Sequence, residues 1–384
     1  MPKIRALFLV GSLAAGGSER QVVETLKSLN RSRFDPLLYT VYREGELLAE
    51  VPSDVPVYSY WDRHSFPMLN WPGLIRKRQA KDLAGLLASE MIDVVYDRNF
   101  PMTLLADAAC HYRPTPRISV VSSDPARDLS ENAGKYPALK RWYLKGAYRR
   151  ANRVVAVSRG VAKAVCDYYQ LPVDHVLTIY NSIDPERLAR LAEEYRPEFD
   201  PGRFHIVSVG RLVPPKGYRY LIEAMDTLVH RDGLTQLLLW LVGGGPLQVE
   251  LDELIQRSQL ASHVNFIGFE KNPIPYTKSA HLFCLPSLYE GMPNALLEAV
   301  MCDTPVLAAD CPSGPAEILD GGRVGHLVPP GDSEALARAI ASAVAEYERW
   351  QSLTPRARIH VSNHFGRSNT VSLLEDLLEE VTGK

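Results

Sequence analysis

Two glutamates, Glu290 and Glu298, bracket the run Glu290-Gly291-Met292-Pro293-Asn294-Ala295-Leu296-Leu297-Glu298. Glu290 follows an apolar strand-like stretch, 281–285, and the pair Pro286-Ser287. Pro293 suits the first position of a helix, where a missing N–H costs nothing. Glu298 comes one turn later, so the two carboxylates approach one pocket from a loop and from a helix. A carboxylate accepts hydrogen bonds from sugar and ribose hydroxyls, often two from one diol, while backbone N–H groups at a helix start serve phosphate. As bare residues, a helix-favouring Glu298 and a solvated Glu290 are the alternative reading.

Cations stand in a second stretch, Ser208-Val209-Gly210-Arg211-Leu212-Val213-Pro214-Pro215-Lys216-Gly217. Gly210 lets the chain turn at a strand end, and Pro215 suits a helix opening. Arg211 and Lys216 beside oriented backbone donors form a diphosphate site that needs no metal, against the alternative of a solvated surface pair. A third stretch, Gly11-Ser-Leu-Ala-Ala-Gly16-Gly17-Ser18-Glu19-Arg20-Gln21, follows the first strand. Gly17 stands where a P-loop carries its lysine, which argues against an ATP or GTP site. What remains is a glycine turn into a helix, with Ser18 and Gln21 predicted as a capping box. It either aims backbone N–H groups at a ligand or is a plain tight turn.

Alternating apolar strands and helices must position these residues. Strands are predicted at 4–10, 37–41, 55–60, 93–96, 117–122, 153–157 and 176–180, and again at 204–209, 237–242, 264–267, 281–285, 305–308 and 326–328. Helices are predicted at 19–29, 74–89, 139–150, 161–169, 218–230, 247–259, 294–301 and 334–346. Such a pattern implies parallel sheets covered on both faces. The charged stretch with Pro185, Pro197, Pro201 and Gly202 interrupts it, with a polar helix predicted near 188–195 inside it. The expectation is an α/β protein with two Rossmann-like doubly wound domains facing a cleft: residues 1–182, a linker at 183–203, and residues 204–364. Helices at about 365–384 are expected to pack back on the first domain.

Composition narrows the class. Of 384 residues, 46% are hydrophobic and 23% charged, as in an ordinary globular chain. No run reaches the roughly 18 apolar residues of a spanning helix, and the start resembles no signal peptide. Five scattered cysteines without a CxxC pair fit reduced thiols rather than a metal site or a disulfide framework. The expected location is therefore cytoplasmic. Residues 1–165 carry 25 Lys+Arg against 16 Asp+Glu, while the whole chain has 43 against 45. The basic half lacks any nucleic-acid-binding motif, so no nucleic acid partner is expected. Clusters Arg76-Lys77-Arg78 with Lys81, and Lys140 to Arg150 around Trp142, Tyr143 and Leu144, suit an anionic membrane surface. Peripheral attachment at a membrane's inner face is expected; a solvated helix face is the alternative.

Taken in order, the runs GGSERQ, AVSRGV, YNSID, VGRLVPPKG, LVGGGPL, VNFIG and PSLYEGMPNALLEAVMCDTPVLAADCPSGPAEIL resemble the retaining glycosyltransferases of family four, which have the GT-B fold. The resemblance covers most of the chain and is strongest over 153–330. It implies transfer of a sugar from a nucleotide-sugar donor, in the family's habit a UDP-sugar, to a glycan or lipid-linked acceptor. Catalytic roles fall on Arg211, Lys216 and Glu290. Donor binding falls on Gly16, Gly17, Gly210, Gly291, Met292, Asn294 and Glu298, with Glu298 on the ribose. No cofactor and no metal are implied. The region from Pro286 to Pro315 looks most like enzymes of bacterial cell-surface or lipid-linked glycans.

Two departures stand out. A histidine usual after the fifth strand is replaced here by Ser122 or Ser123, and Ser122, Ser123 and Asp124 are the candidate sugar contacts; His111 and His64 are alternatives. The glycine usual before Thr304-Pro305 is Asp303. Rival functions are a UDP-sugar epimerase or phosphorylase of the same fold, a non-catalytic sugar-nucleotide sensor, and an NAD-dependent oxidoreductase. The last is disfavoured because Gly243-Gly244-Gly245-Pro246 lacks the remainder of a dinucleotide fingerprint.

Overall fold

Each apolar run expected as a strand pairs in parallel with its neighbours, in two separate sheets. The computed structural model describes residues 2–14, 16–65, 73–132 and 136–384. In the first sheet the strands are β1 (Ile4–Val10), β2 (Phe34–Thr40), β3 (Val57–Ser59), β4 (Val94–Arg98), β5 (Arg117–Val121), β6 (Arg153–Ala156) and β7 (Val176–Thr178). Their order is β3-β2-β1-β4-β5-β6-β7. The second sheet holds β8 (Phe204–Val209), β9 (Leu237–Val242), β10 (Val264–Gly268), β11 (Leu282–Leu285), β12 (Val306–Ala309) and β13 (His326–Val328), in the order β10-β9-β8-β11-β12-β13. Both are doubly wound: the order reverses between β1 and β4, and between β8 and β11.

Strands buried on both faces explain the unbroken apolar runs. In the first sheet Leu7, Leu9, Leu37 and Val95 pack with Leu83, Leu87, Leu105 and Ala109 of the covering helices. In the second, Ile206, Leu239 and Leu241 pack with Leu221, Met225, Leu336 and Ile340. Burying each such side chain stabilises by about 1.5–3 kcal/mol. Helix Phe100–Tyr112 was not predicted, because its apolar residues leave no single polar face from which to read a period.

The chain divides into two compact units, residues 1–182 with 367–384, and residues 183–366. The segment 183–203 holds a short helix, as expected, though it starts earlier, and it packs on its neighbours. Asp184 caps the helix Pro185–Ala192, accepting from the N–H groups of Glu186 and Arg187 at 3.1 Å, and Leu188 is buried. Asn272 Nδ2 donates to Leu191 O at 2.8 Å, and the Tyr195 hydroxyl donates to Asn272 O at 2.6 Å. These bonds tie the segment to the second unit. The closing helix Arg367–Thr382 belongs to the first unit, where Glu375 accepts from Asn30 N at 2.7 Å and pairs with Arg33 at 3.0 Å.

Among the described residues no helix is long and apolar enough to cross a membrane.

Candidate active site

Neighbouring strands whose connections leave in opposite directions open a crevice at their carboxyl ends. In the second unit those strands are β8 and β11, and the loops after them carry Arg211, Lys216 and Glu290. Pro214–Lys216 form one 3-10 turn, closed by Gly217 at φ +65°. A Cβ at Gly217 would overlap the carbonyl oxygen of Pro286, so glycine lets the two loops touch. Leu288 N donates to Pro215 O at 2.8 Å and holds them there.

This contact joins residues 74 positions apart. Lys216 Nζ lies 2.6 Å from Glu290 Oε1, and Ser287 Oγ donates to the same oxygen at 2.7 Å. Ser287 is fully buried, and the side chains of Lys216 and Glu290 keep 23% and 10% of their surface exposed. Arg211, in the same loop, is exposed. Beneath the pair, burial pushes the Tyr218 phenol above its ordinary range, with the Glu290 charge adding to the shift. Burial likewise pushes the Cys311 thiol up to about 12, again with Glu290 contributing. Such a thiol is inert.

Pro293 is the N-cap of the helix Asn294–Met301, not its first residue, because its ψ of 101° is extended. Gly291 and Met292 are buried, and Asn294 and Glu298 are half-buried. Gly314, at φ +93°, lets the loop after β12 approach Gly291 and Pro293. Gly210 is the first residue after β8, and the main chain of that loop adjoins Gly243 after β9. Asp303 has φ +57°, which accounts for the glycine expected there; Asp tolerates this region better than most residues. Its carboxylate pairs with Arg358 at 2.7 Å.

The first unit has its own polar cluster at the carboxyl ends of its strands. The predicted Ser18–Gln21 capping box does not form. The helix Gly17–Ser28 begins earlier, with Gly16 as N-cap and no side-chain cap. Gln21 instead donates to Ser182 O at 3.0 Å and accepts from Ser182 N at 2.9 Å. Ser18 Oγ accepts from Arg98 Nε at 2.7 Å. Ser122 Oγ donates to Asn99 Oδ1 at 2.7 Å. Asn99 has φ 72° and ψ 147°, a region that costs a non-glycine residue about 1–3 kcal/mol.

Ser123 is half-buried. Asp124 is spent as a cap, accepting from Ala126 N at 2.9 Å and Arg127 N at 3.1 Å. His111 bonds to Asp107 O of its own helix at 2.8 Å, and exposed His64 bonds to Asp82 at 2.8 Å. Sequence reasoning passed over Ser287, Arg98, Asn99 and Asn181. Ser287 and Asn181 lie within quoted runs, beginning PSLYEG and YNSID, while Arg98 and Asn99 lie outside all of them.

Two doubly wound parallel units, one with a cation–carboxylate pair at its switch point, describe the GT-B class of glycosyltransferases. The comparisons agree. Residues 15–187 match the model described as Glycosyltransferase Family 4, and residues 203–346 the model described as Glycosyl transferases group 1. An uncharacterized glycosyltransferase of Methanocaldococcus jannaschii is 27% identical over 293 residues, 73% of this chain and 70% of the relative. The N-acetylgalactosamine-N,N'-diacetylbacillosaminyl-diphospho-undecaprenol 4-alpha-N-acetylgalactosaminyltransferase of Campylobacter jejuni is 28% identical over 208 residues, 54% of this chain and 55% of the relative. Among solved structures, Anabaena HepE in complex with UDP superposes with a TM-score of 0.80 at 20% identity, covering 99% of this chain and 100% of the other. The chain belongs to glycosyltransferase family four and is a glycosyltransferase of the GT-B fold.

Proposed function

We propose that the enzyme transfers a sugar, with retained anomeric configuration and without a divalent metal, from a UDP-sugar to a hydroxyl of a lipid-linked or cell-surface glycan. The observation that carries this reading is the Lys216–Glu290–Ser287 arrangement beside exposed Arg211. As the glycosidic bond loosens, negative charge gathers on the departing β-phosphate and positive charge on the sugar. Lys216, Arg211 and the start of the helix Tyr218–Asp226 meet the first; Glu290 faces the second. Preorganised donors of this kind contribute about 3–4 kcal/mol each where they have been removed singly. The leaving phosphate takes the acceptor's proton from the same face, which accounts for retention without a carboxylate nucleophile. Glu298 serves the ribose, and Gly291, Met292 and Asn294 line the donor's path. In the first unit, the backbone N–H groups at Gly16 and Gly17 suit phosphate, and Ser122 and Ser123 stand in for the missing histidine. UDP in the HepE complex and the diphospho-undecaprenol in the Campylobacter enzyme's name support the choice of donor and acceptor.

The test is incubation with labelled UDP-sugars, with and without an undecaprenyl-diphosphate-linked saccharide, in the presence of EDTA. Transfer with an α-linked product from an α-linked donor is expected. Isomerised donor, binding alone, or activity restored only by magnesium or manganese would overturn the proposal.

Peripheral membrane attachment belongs to the same reading. On the helix Pro137–Arg150, Leu144, Ala147 and Tyr148 are buried, while Trp142 is 67% exposed and Leu139 and Tyr143 are about half exposed. Lys140, Arg141, Lys145 and Arg149 share that stretch. Apolar residues set outward among cations fit an anionic lipid surface. Sedimentation with phosphatidylglycerol vesicles, but not phosphatidylcholine vesicles, is expected. Equal binding to both, or binding to neither, would refute it.

A further inference from the structure

Asn99, the first residue after β4, carries strain that its surroundings hold in place. Its φ of 72° and ψ of 147° lie in a region where glycine is nearly alone at ease. Asn99 N donates to Val120 O at 3.3 Å, and Asn99 O accepts from Met102 N at 3.0 Å and Thr103 N at 3.1 Å. Thr103 Oγ1 in turn donates to Asp97 Oδ1 at 2.6 Å. Strain of this kind gathers at active sites, where it is part of how a side chain is aimed. Asn99 is also the N-cap of the helix Phe100–Tyr112, yet its side chain makes no capping bond, the usual work of an asparagine there.

The amide is turned elsewhere and fixed. Asn99 Oδ1 accepts from Ser122 Oγ at 2.7 Å and from Ser18 Oγ at 3.4 Å. A guanidinium only donates, so the bond from Arg98 Nε to Ser18 Oγ leaves the Ser18 proton for Asn99. The oxygen end of the amide is thereby committed. Its nitrogen, Nδ2, has no partner among the described residues, and Asn99 is half-buried. β4 borders β1 where the first sheet's order reverses, and such a point opens a crevice at the strands' carboxyl ends. Asn99 and Ser122 also line a cavity there with room for about one water molecule. Tyr169 lines it too; this residue is 2% exposed, and its phenol has no hydrogen bond among the described residues. A single hydroxyl group matches that size, and it can accept from an amide while meeting a phenol.

We propose that Asn99 determines specificity by donating from Nδ2 to a hydroxyl of a bound sugar, and that Ser18 and Ser122 set the direction of its amide. The proposal rests on the transferase reading and deepens it, because Ser122 then acts through Asn99. It has its own signature: removing the Asn99 side chain relieves the fold and harms the sugar contact at once.

On the full chain, Asn99→Gly separates function from stability. Glycine is at ease at these angles, so the denaturation midpoint should stay the same or rise. Transfer from labelled UDP-sugars to the undecaprenyl-diphosphate-linked saccharide should lose about tenfold or more in kcat/KM. Affinity for UDP, which lacks the transferred sugar, should not move. A merely structural asparagine would show the reverse: a lower midpoint, with activity and UDP binding falling in step. Ser18→Ala should cost several-fold in kcat/KM alone and nothing further in the Asn99→Gly background, as coupled residues do. Calorimetry with UDP-glucose, UDP-galactose and UDP-N-acetylglucosamine, and with the acceptor saccharide, then assigns the ring. Weakened UDP-sugar binding marks the transferred sugar, and weakened saccharide binding marks the acceptor. The proposal is overturned by unaltered kcat/KM and affinities in Asn99→Gly, by a lowered midpoint or a chain that does not fold, or by fully additive losses in the double variant. If the wild-type chain transfers no sugar, the transferase reading fails, while calorimetry, which needs no turnover, still judges Asn99.

Discussion

Replacing Glu290 with glutamine tests the active-site reading most directly. Glu290 Oε1 accepts two bonds, from Lys216 Nζ at 2.6 Å and Ser287 Oγ at 2.7 Å. A glutamine carbonyl can accept both, so the loop contact survives and only the charge is lost. A charge-assisted hydrogen bond is roughly twice as strong as a neutral one, which puts the loss of hold on Lys216 at about 1 kcal/mol. The ammonium that a diphosphate must otherwise draw from Glu290 is then released, and UDP should bind about fivefold tighter. Turnover should fall instead, by about 100-fold or more, if Glu290 faces charge that develops on the departing sugar. The ion pair sets the sign of the UDP effect. Calorimetry with UDP and initial-rate measurements provide the two readouts. UDP binding weakened as much as in Lys216→Ala would refute the reasoning, as would unaltered kcat.

Lys216→Ala should weaken UDP by about 10- to 100-fold and uridine hardly at all, because the lost interaction is with phosphate; calorimetry with both ligands checks it. Glu298→Ala should weaken UDP and raise the donor KM while leaving kcat within a few-fold, seen in steady-state kinetics. Gly217→Ala should destabilise the fold by about 3 kcal/mol or more, through its φ of +65° and the overlap with Pro286 O, measured by chemical denaturation. Burial, helped by neighbouring His205, lowers the His281 pKa, so this group stays neutral in the fold and protonates more readily when unfolded. Its stabilising contribution is present above about pH 6.5 and is lost as the pH falls below that value, because the unfolded chain takes up the proton first. Melting temperature followed from pH 7.5 to 5 should fall less steeply in His281→Gln.

The alternation of buried strands and helices was legible because each parallel strand is apolar on both faces and each connection is helical. What stayed hidden was set by tertiary contact. Helix Phe100–Tyr112 lacks a polar face, and the helix after β1 starts at Gly17 since Ser18 is claimed by Arg98 and Gln21 by Ser182. Arg211, Lys216 and Glu290 were identifiable by type. The pairing of Lys216 with Glu290 was not, because it depends on β8 and β11 being neighbours across a crossover. The pairing of buried Asp97 with Arg117, 3.4 Å apart inside the first sheet and joined by Ser119, was hidden too, because it depends on β4 and β5 lying side by side.

The placement of the closing helix also bears on biosynthesis. Ile183 N donates to Phe365 O at 3.0 Å, so the second unit's entry and exit lie side by side, and the unit is an insertion within the first. On the ribosome residues 183–366 emerge before the segment 367–384 that completes the first unit's packing. The inserted unit can therefore finish folding while the one begun earlier still lacks Glu375 and Glu379 against Arg33. A chain cut after Gly366 would leave the later-made unit whole and expose a seam in the earlier one.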